Sequence, residues 1–258
     1  MRRTVKRTGC SLPFHPLQIL GWVLFVIDVA VPCTCTLPLF TPSMRIGCGV
    51  CFGLAVLAVV VATAALTLSD PSDYTGHSVR RSVACETCKC RVDASSKHCM
   101  RCNRCVVDFD HHCKWVNNCV GRSNYRLFLK LLLATSLFCL MVLVQAGVVL
   151  FSAWQDYAAF QRSVEDLYGD VADVVFGVLL GTAAECLLLL ILLVYLQCFH
   201  AWLARQQLTT FEYLLQRGRR RLREQPTVSP TVPPVDIVLD ESPDSVLYKP
   251  EQSTVIQV

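Results

Sequence analysis

Four long apolar runs leave this chain few folds to choose from. They cover residues 17–39, 46–68, 127–151 and 174–199, and each reaches the roughly 20 residues needed to cross a bilayer as a helix. Inside hydrocarbon every backbone N–H and C=O must be satisfied within the protein, so only helices or a closed barrel can span. Barrel strands alternate in polarity, whereas these runs are apolar throughout. A composition of 53% hydrophobic and only 17% charged residues fits the same reading. The first run is too long for the core of a cleavable signal. Only Thr41 to Arg45 lie between the strongly apolar parts of the first two runs, which predicts an antiparallel helical hairpin, and Pro32 is expected to kink its first arm.

Orientation follows from the basic residues. Four occupy the N-terminal arm (residues 1–16), ten lie between Ser69 and Arg126 and seven follow His200, against Arg45 and Arg162 alone in the other two loops. The positive-inside rule therefore places the arm, residues 69–126 and the tail (200–258) in the cytosol, and the 152–173 loop in the lumen. From residue 225 the tail is rich in Pro, Ser and Thr and is expected to be largely disordered. A net charge of only +4, spread over short flanks of apolar runs, gives no case for nucleic acid.

The cytosolic stretch 69–126 carries the chemistry. Cys85, Cys88, His98, Cys99, Cys102, Cys105, His112 and Cys119 crowd together at metal-ligand spacing, enough for two tetrahedral zinc sites. In a reducing compartment such a cluster reads as metal thiolates and not as disulfides. The pairs Cys85/Cys88 and Cys99/Cys102 should each grip a different ion. Neighbouring His98 and Cys99 cannot easily converge on one, so His98 joins the first pair. Of Cys105, His112 and Cys119, one completes the first site and two the second, and spacing alone does not say which.

One thiol is left over. Cys113 lies between presumed ligands and is needed by neither shell, while Asp110 and His111 stand beside it. A cysteine next to a histidine that a carboxylate orients is the recurring arrangement for an activated thiolate nucleophile. Asp110 would orient, His111 act as general base and Cys113 attack.

The run from Cys85-x2-Cys88 through His98-Cys99-x2-Cys102-x2-Cys105, Asp110-His111-His112-Cys113 and Cys119-Val120-Gly121 to Asn124 and Phe128 resembles the cysteine-rich domain of the DHHC protein S-acyltransferases, the palmitoyltransferases. That resemblance implies an all-α integral membrane protein: four transmembrane helices, with a cytosolic zinc-binding cysteine-rich domain between helices 2 and 3. It implies Cys85, Cys88, His98 and Cys105 on one structural zinc, and Cys99, Cys102, His112 and Cys119 on the other. It further implies S-palmitoyl transfer from a long-chain acyl-CoA such as palmitoyl-CoA, through an acyl-Cys113 intermediate, to cysteines of membrane-associated client proteins, in endoplasmic reticulum or Golgi membrane. Membrane lipid is the remaining partner. Asn124 and the Thr209-Thr210-Phe211-Glu212 segment, similar to the family's Thr-Thr-x-Glu, are expected to support the site. Thr209 and Glu212 also read as a local helix capping box.

Two positions depart from the family pattern: Ser72 follows Asp70-Pro71 where the family usually has Gly, and Lys114 follows Cys113 where it usually has Pro. They keep open an alternative, a catalytically weak or inactive membrane scaffold or adaptor with the same fold. Asp28 and Glu185, deep in the first and fourth spans, are ionisable groups that must face the protein interior; they read best as packing contacts, although a metal-ion carrier would need them. Arg80, Arg81, Arg122 and Arg126 are available for the phosphates of coenzyme A. The basic run from Arg217 to Arg223 is expected to lie against anionic lipid.

Overall fold

A computed structural model describes residues 5–74 and 82–224. Arg2, Arg3, Arg80, Arg81 and the tail from residue 225 lie outside the described residues. The chain forms two compact units, one built from residues 16–65 and 129–199 and the other from the segments between and around them.

The first unit contains the membrane helices. α1 (Pro16–Val31) together with the turns that continue it to Leu39, α2 (Pro42–Leu68), α3 (Tyr125–Gln155) and α5 (Ala172–Arg205) are long and apolar enough to cross a bilayer. Their most apolar windows are only 17% to 33% buried within the protein, so most of each apolar surface looks outward. Pro16 and Pro42 open α1 and α2, where the missing N–H costs nothing. Pro32 acts as its ring and lost donor dictate: the chain leaves the α-helix for one π turn, Pro32–Thr36, and one 3-10 turn, Leu37–Leu39. Thr36 donates to the Pro32 carbonyl at 2.9 Å, and Arg45 donates to the carbonyls of Pro38 and Phe40. Phe138 of α3 packs between Phe25 and Phe52, with ring centroids 5.3 Å and 5.8 Å away. Asp28 is buried against the thiol of Cys186, and Glu185 is half-buried.

The stretch expected to be a loop between the last two spans instead contains α4 (Tyr157–Tyr168). Asp156 caps its start by accepting the Ala159 N–H at 2.9 Å, and Gly169 at φ +82° ends it. Phe160 and Val164, four residues apart on one face, bury themselves against Phe40, Val149 and Val175.

In the second unit, three antiparallel hairpins follow one another, so the zinc domain is not helical: β1 (Ser82–Cys85) with β2 (Cys90–Asp93), β3 (Lys97–Cys99) with β4 (Arg104–Val106), and β5 (His111–Cys113) with β6 (Asn118–Val120). Their registers are equivalent. Cys85 faces Cys90, Cys99 faces Arg104 and Cys113 faces Asn118 across four-residue turns. Each turn ends on a left-handed residue, Lys89, Asn103 and Asn117, with φ of 57°, 52° and 51°. The hairpins therefore repeat every fourteen residues.

Arg104 knits the domain to the segments around it, donating to the Arg7 carbonyl, Asp70 and Asn118. Asp70 also accepts from the amide and hydroxyl of Ser72. Ser72 is not among the described residues with positive φ, so the turn has no need of glycine there. Asn118 ties the end of α2 to the third hairpin by donating to the carbonyls of Leu66, Thr67 and Ser69. α6 (Thr210–Glu224) completes the unit; Phe211 packs edge-on to Phe109 at 6.0 Å, and Leu215 adds to the same cluster.

Candidate active site

The hairpin turns gather the eight ligands into two sets. Cys85, Cys88, His98 and Cys105 form one, and Cys99, Cys102, His112 and Cys119 the other, with the ligand atoms of each set within 4.8 Å of one another. The histidines converge through Nδ1. Nδ1 of His98 lies 3.8, 3.1 and 3.7 Å from the sulfurs of Cys85, Cys88 and Cys105, and Nδ1 of His112 lies 3.9, 3.3 and 3.8 Å from those of Cys99, Cys102 and Cys119. Around a tetrahedral zinc, ligand atoms stand about 3.6–3.8 Å apart. Three thiolates and one imidazole per set, mostly buried, are the donor types and spacing that suit a closed structural zinc. The choice that spacing left open falls to the hairpins: His98 pairs with Cys105 across β3–β4 and His112 with Cys119 across β5–β6.

Cys113 is buried and belongs to neither set. It occupies in the third hairpin the place that Cys85 and Cys99 hold in the first two. In the first turn, the amides of Thr87 and Cys88 hydrogen-bond the sulfur of Cys85; in the third, those of Trp115 and Val116 do the same for Cys113. The turn keeps the donors that hold a zinc thiolate. It lacks the second thiol, because Val116 stands where Cys88 and Cys102 stand.

His111 supplies the missing positive charge. Its Nδ1 donates to Asp110 Oδ2 at 2.7 Å, which leaves Nε2 for Cys113, with which the ring is hydrogen-bonded. Burial pushes the Cys113 thiol up, but the hydrogen bond and charge of His111, followed by the two turn amides, outweigh it and hold the thiol below its ordinary value. Burial likewise lowers His111, yet Asp110 and Cys113 reverse that and bring it up to about 10. Burial raises Asp110, and the hydrogen bonds from His111 and Thr210 carry it below the usual carboxylate range. These shifts all favour a thiolate–imidazolium pair with an ionised carboxylate behind it.

Other segments brace this group. The Thr210 N–H donates to Asp110 Oδ1 at 2.8 Å. Thr209 and Glu212 form the capping box at the start of α6, with Thr209 donating to Glu212 at 2.9 and 3.0 Å and the Glu212 amide donating back at 3.1 Å. Asn124 bridges the zinc ligand Cys119 to the end of α2, donating to the Cys119 carbonyl and to Ser69 Oγ at 2.9 Å each and accepting from Gly121. Phe128 packs edge-on to His111 at 5.1 Å. Arg122 spends its charge on Asp108 at 2.6 Å, Arg126 is exposed, and Lys114 is half-buried in the turn.

Sequence reasoning passed over four contributors. Tyr125 donates to His200 Nδ1 at 2.9 Å, and the His200 ring packs against Phe128 at 5.0 Å and lies 6.2 Å from His111. No sequence pattern announces this wall, since Tyr125 and His200 are 75 residues apart in the chain. Gly9 lies so close to the turn after Cys113 that a Cβ there would sit 2.0 Å from the Val116 carbonyl oxygen. Asn117 donates to the carbonyls of Gly9, Ser11 and Pro13, fastening the N-terminal arm over that turn. The fourteen-residue repeat, by contrast, was legible in the even spacing of Cys85, Cys99 and Cys113 and of His98 and His112.

Comparison with known proteins gives one answer. The family described as DHHC palmitoyltransferase matches residues 78–217. Palmitoyltransferase pfa3 of Emericella nidulans is 32% identical over 200 residues, 77% of this chain and 36% of that protein. Palmitoyltransferase ERF2 of Kluyveromyces lactis is 35% identical over 137 residues, 53% of this chain and 34% of that protein. Palmitoyltransferase ZDHHC4 of Bos taurus is 41% identical over 106 residues, 40% of this chain and 31% of that protein. The chain thus spans about a third of the length of these relatives.

Proposed function

The chain belongs to the DHHC palmitoyltransferase family, and from that premise we propose that it is a protein S-palmitoyltransferase. It takes a long-chain acyl group from acyl-CoA and passes it to a cysteine of a membrane-associated protein. The observation that carries the reading is Cys113, a thiolate built like a zinc ligand, left without a metal partner and paired instead with His111.

In the first half-reaction, the Cys113 thiolate attacks the thioester carbonyl of the acyl-CoA. The C–S bond to coenzyme A breaks, and the departing thiolate takes a proton from the His111 imidazolium. His111 is then neutral, with Asp110 still holding Nδ1–H so that Nε2 is free to accept. In the second half-reaction, a client thiol gives its proton to Nε2 and attacks the acyl-Cys113 carbonyl. Cys113 leaves as the thiolate, and the resting ion pair is restored. Two zinc ions held by the eight Cys and His ligands would brace the hairpins, and with every position filled by protein they leave no open site for a reacting group.

The positive-inside distribution puts this chemistry on the cytosolic side, where the charged end of an acyl-CoA stays in water while its tail enters lipid, each buried methylene contributing about 0.8 kcal/mol. Arg126, exposed, is the candidate for the coenzyme A phosphates, since Arg122 is paired with Asp108, and endoplasmic reticulum or Golgi membrane is the proposed location. The test is autoacylation of the purified chain with labelled palmitoyl-CoA. A hydroxylamine-sensitive label on the wild type that is lost in Cys113→Ser and His111→Ala is expected. A folded, zinc-loaded wild type with no label above the Cys113→Ser control would make it a scaffold.

A further inference from the structure

α6 begins on the candidate site and ends as something else. Its first residue, Thr210, donates its amide to Asp110, and Phe211 is buried against Phe109. At 100° per residue, Phe211, Leu214, Leu215, Gly218 and Leu222 share one face of the helix. That face is covered only near Phe211 and Leu215: Leu214 and Leu222 are 45% and 50% exposed. Arg219 and Arg221 flank this stripe and Arg217 and Arg220 lie further round, all four exposed, and no ion pair to them exists among the described residues.

A helix with a bare apolar stripe flanked by arginines is built for the boundary between anionic headgroups and acyl chains. The bilayer is also near at hand. α5 ends at Arg205, and five residues later the chain is already in α6, a reach of at most about 18 Å. The positive-inside distribution puts this end of α5 in the cytosol, where the leaflet is the anionic one.

We propose that α6 binds the anionic surface of the surrounding membrane, and that this seating holds Thr210 against Asp110, so that anionic lipid content sets the rate at which Cys113 is acylated. Docking fixes the helix, the capping box of Thr209 and Glu212 fixes its first turn, and that turn presents the amide that helps Asp110 hold His111 in place. The rate effect rests on the transferase reading; the docking does not.

The test uses the full chain, zinc-loaded and reconstituted in vesicles of phosphatidylcholine alone or with about 30 mol% phosphatidylserine. Two readouts are taken: tryptic cleavage after Arg217, Arg219, Arg220 and Arg221, followed by mass spectrometry, and the initial rate of Cys113 labelling by palmitoyl-CoA. Phosphatidylserine is expected to slow cleavage at these sites several-fold and to raise the labelling rate about threefold or more, with both effects fading in about 0.5 M salt. The R217Q/R219Q/R220Q/R221Q variant should keep the phosphatidylcholine rate, lose the stimulation and, where a cleavable site is restored by a lysine at position 221, lose the protection. Thr210→Pro removes the amide donor and the hydroxyl that face Asp110, at the first helical position where proline is tolerated; it should keep the protection and lose the stimulation. Equal cleavage in both vesicles overturns the docking, and protection with an unchanged rate overturns the coupling. Protection of the wild type by soluble polyglutamate in neutral vesicles, but not by phosphatidylserine, would make an acidic protein the occupant and overturn the lipid assignment. Absence of Cys113 label in every vesicle counts against the transferase reading, while the cleavage pattern still decides the docking.

Discussion

Cys113 and Cys99 occupy the same place in consecutive hairpins: each is the last strand residue before a four-residue turn, facing Asn118 and Arg104 respectively. Cys99 has Cys102 three residues on and shares a metal set with it. Cys113 has Val116, 3% exposed and unable to bind metal. The candidate nucleophile is in effect a zinc-ligand position from which the second thiol is missing, with a histidine in place of the ion.

Restoring that thiol should silence the site. Val116→Cys recreates Cys-x-x-Cys around Cys113, and the two thiols can close a disulfide or capture an ion. Autoacylation should fall at least about tenfold and recover with reductant, or with a mild chelator if metal is captured. Unchanged activity under oxidising conditions would contradict the equivalence of the turns.

The acid limb of activity should report the Cys113–His111 pair. The thiol lies below its ordinary value, so the thiolate persists to lower pH than in a free cysteine and is lost as pH falls through that lowered pKa; His111, at about 10, stays protonated until well above neutrality. Alkylation of Cys113 by iodoacetamide should therefore be fast at pH 7 and slow only on acidification. In His111→Ala the midpoint should move up towards the ordinary thiol value of about 8.5. Asp110→Asn should move it less and cut autoacylation by about 10²-fold or more, through loss of the ring's orientation.

Metal content should separate structure from chemistry. Two zinc ions per chain are expected in the wild type and in Cys113→Ser, and fewer in Cys99→Ala or His98→Ala. Since binding energy at closed sites is folding energy, the ligand variants should also lose protease resistance across residues 82–120, which Cys113→Ser should retain.

The N-terminal arm should matter although it contributes no reacting group. Gly9→Ala places a Cβ 2.0 Å from the Val116 carbonyl oxygen and 2.9 Å from Thr67 Cγ2, so backbone must move. A loss of about 1–3 kcal/mol is expected, read as a lower unfolding temperature and slower autoacylation with zinc content unchanged. Gly53→Ala, in α2 with open space around it, is the control.

The sequence by itself determined what depends on composition and short spacing. Apolar length alone requires spanning helices, because hydrocarbon leaves the backbone no other partner. Eight ligands in two closed shells left Cys113 over, and Asp110 and His111 beside it pointed to the chemistry proposed above. Capping at Thr209 and Glu212 was readable too, since a capping box is complete within four residues. The family resemblance aside, only the tertiary structure decided which of Cys105, His112 and Cys119 joins which shell, because cross-strand register and not sequence distance sets which sulfur meets which imidazole. The same holds for Thr210 on Asp110, His200 beside His111 and Gly9 under Val116. These contacts join segments about a hundred residues apart, and no local pattern of polarity records them.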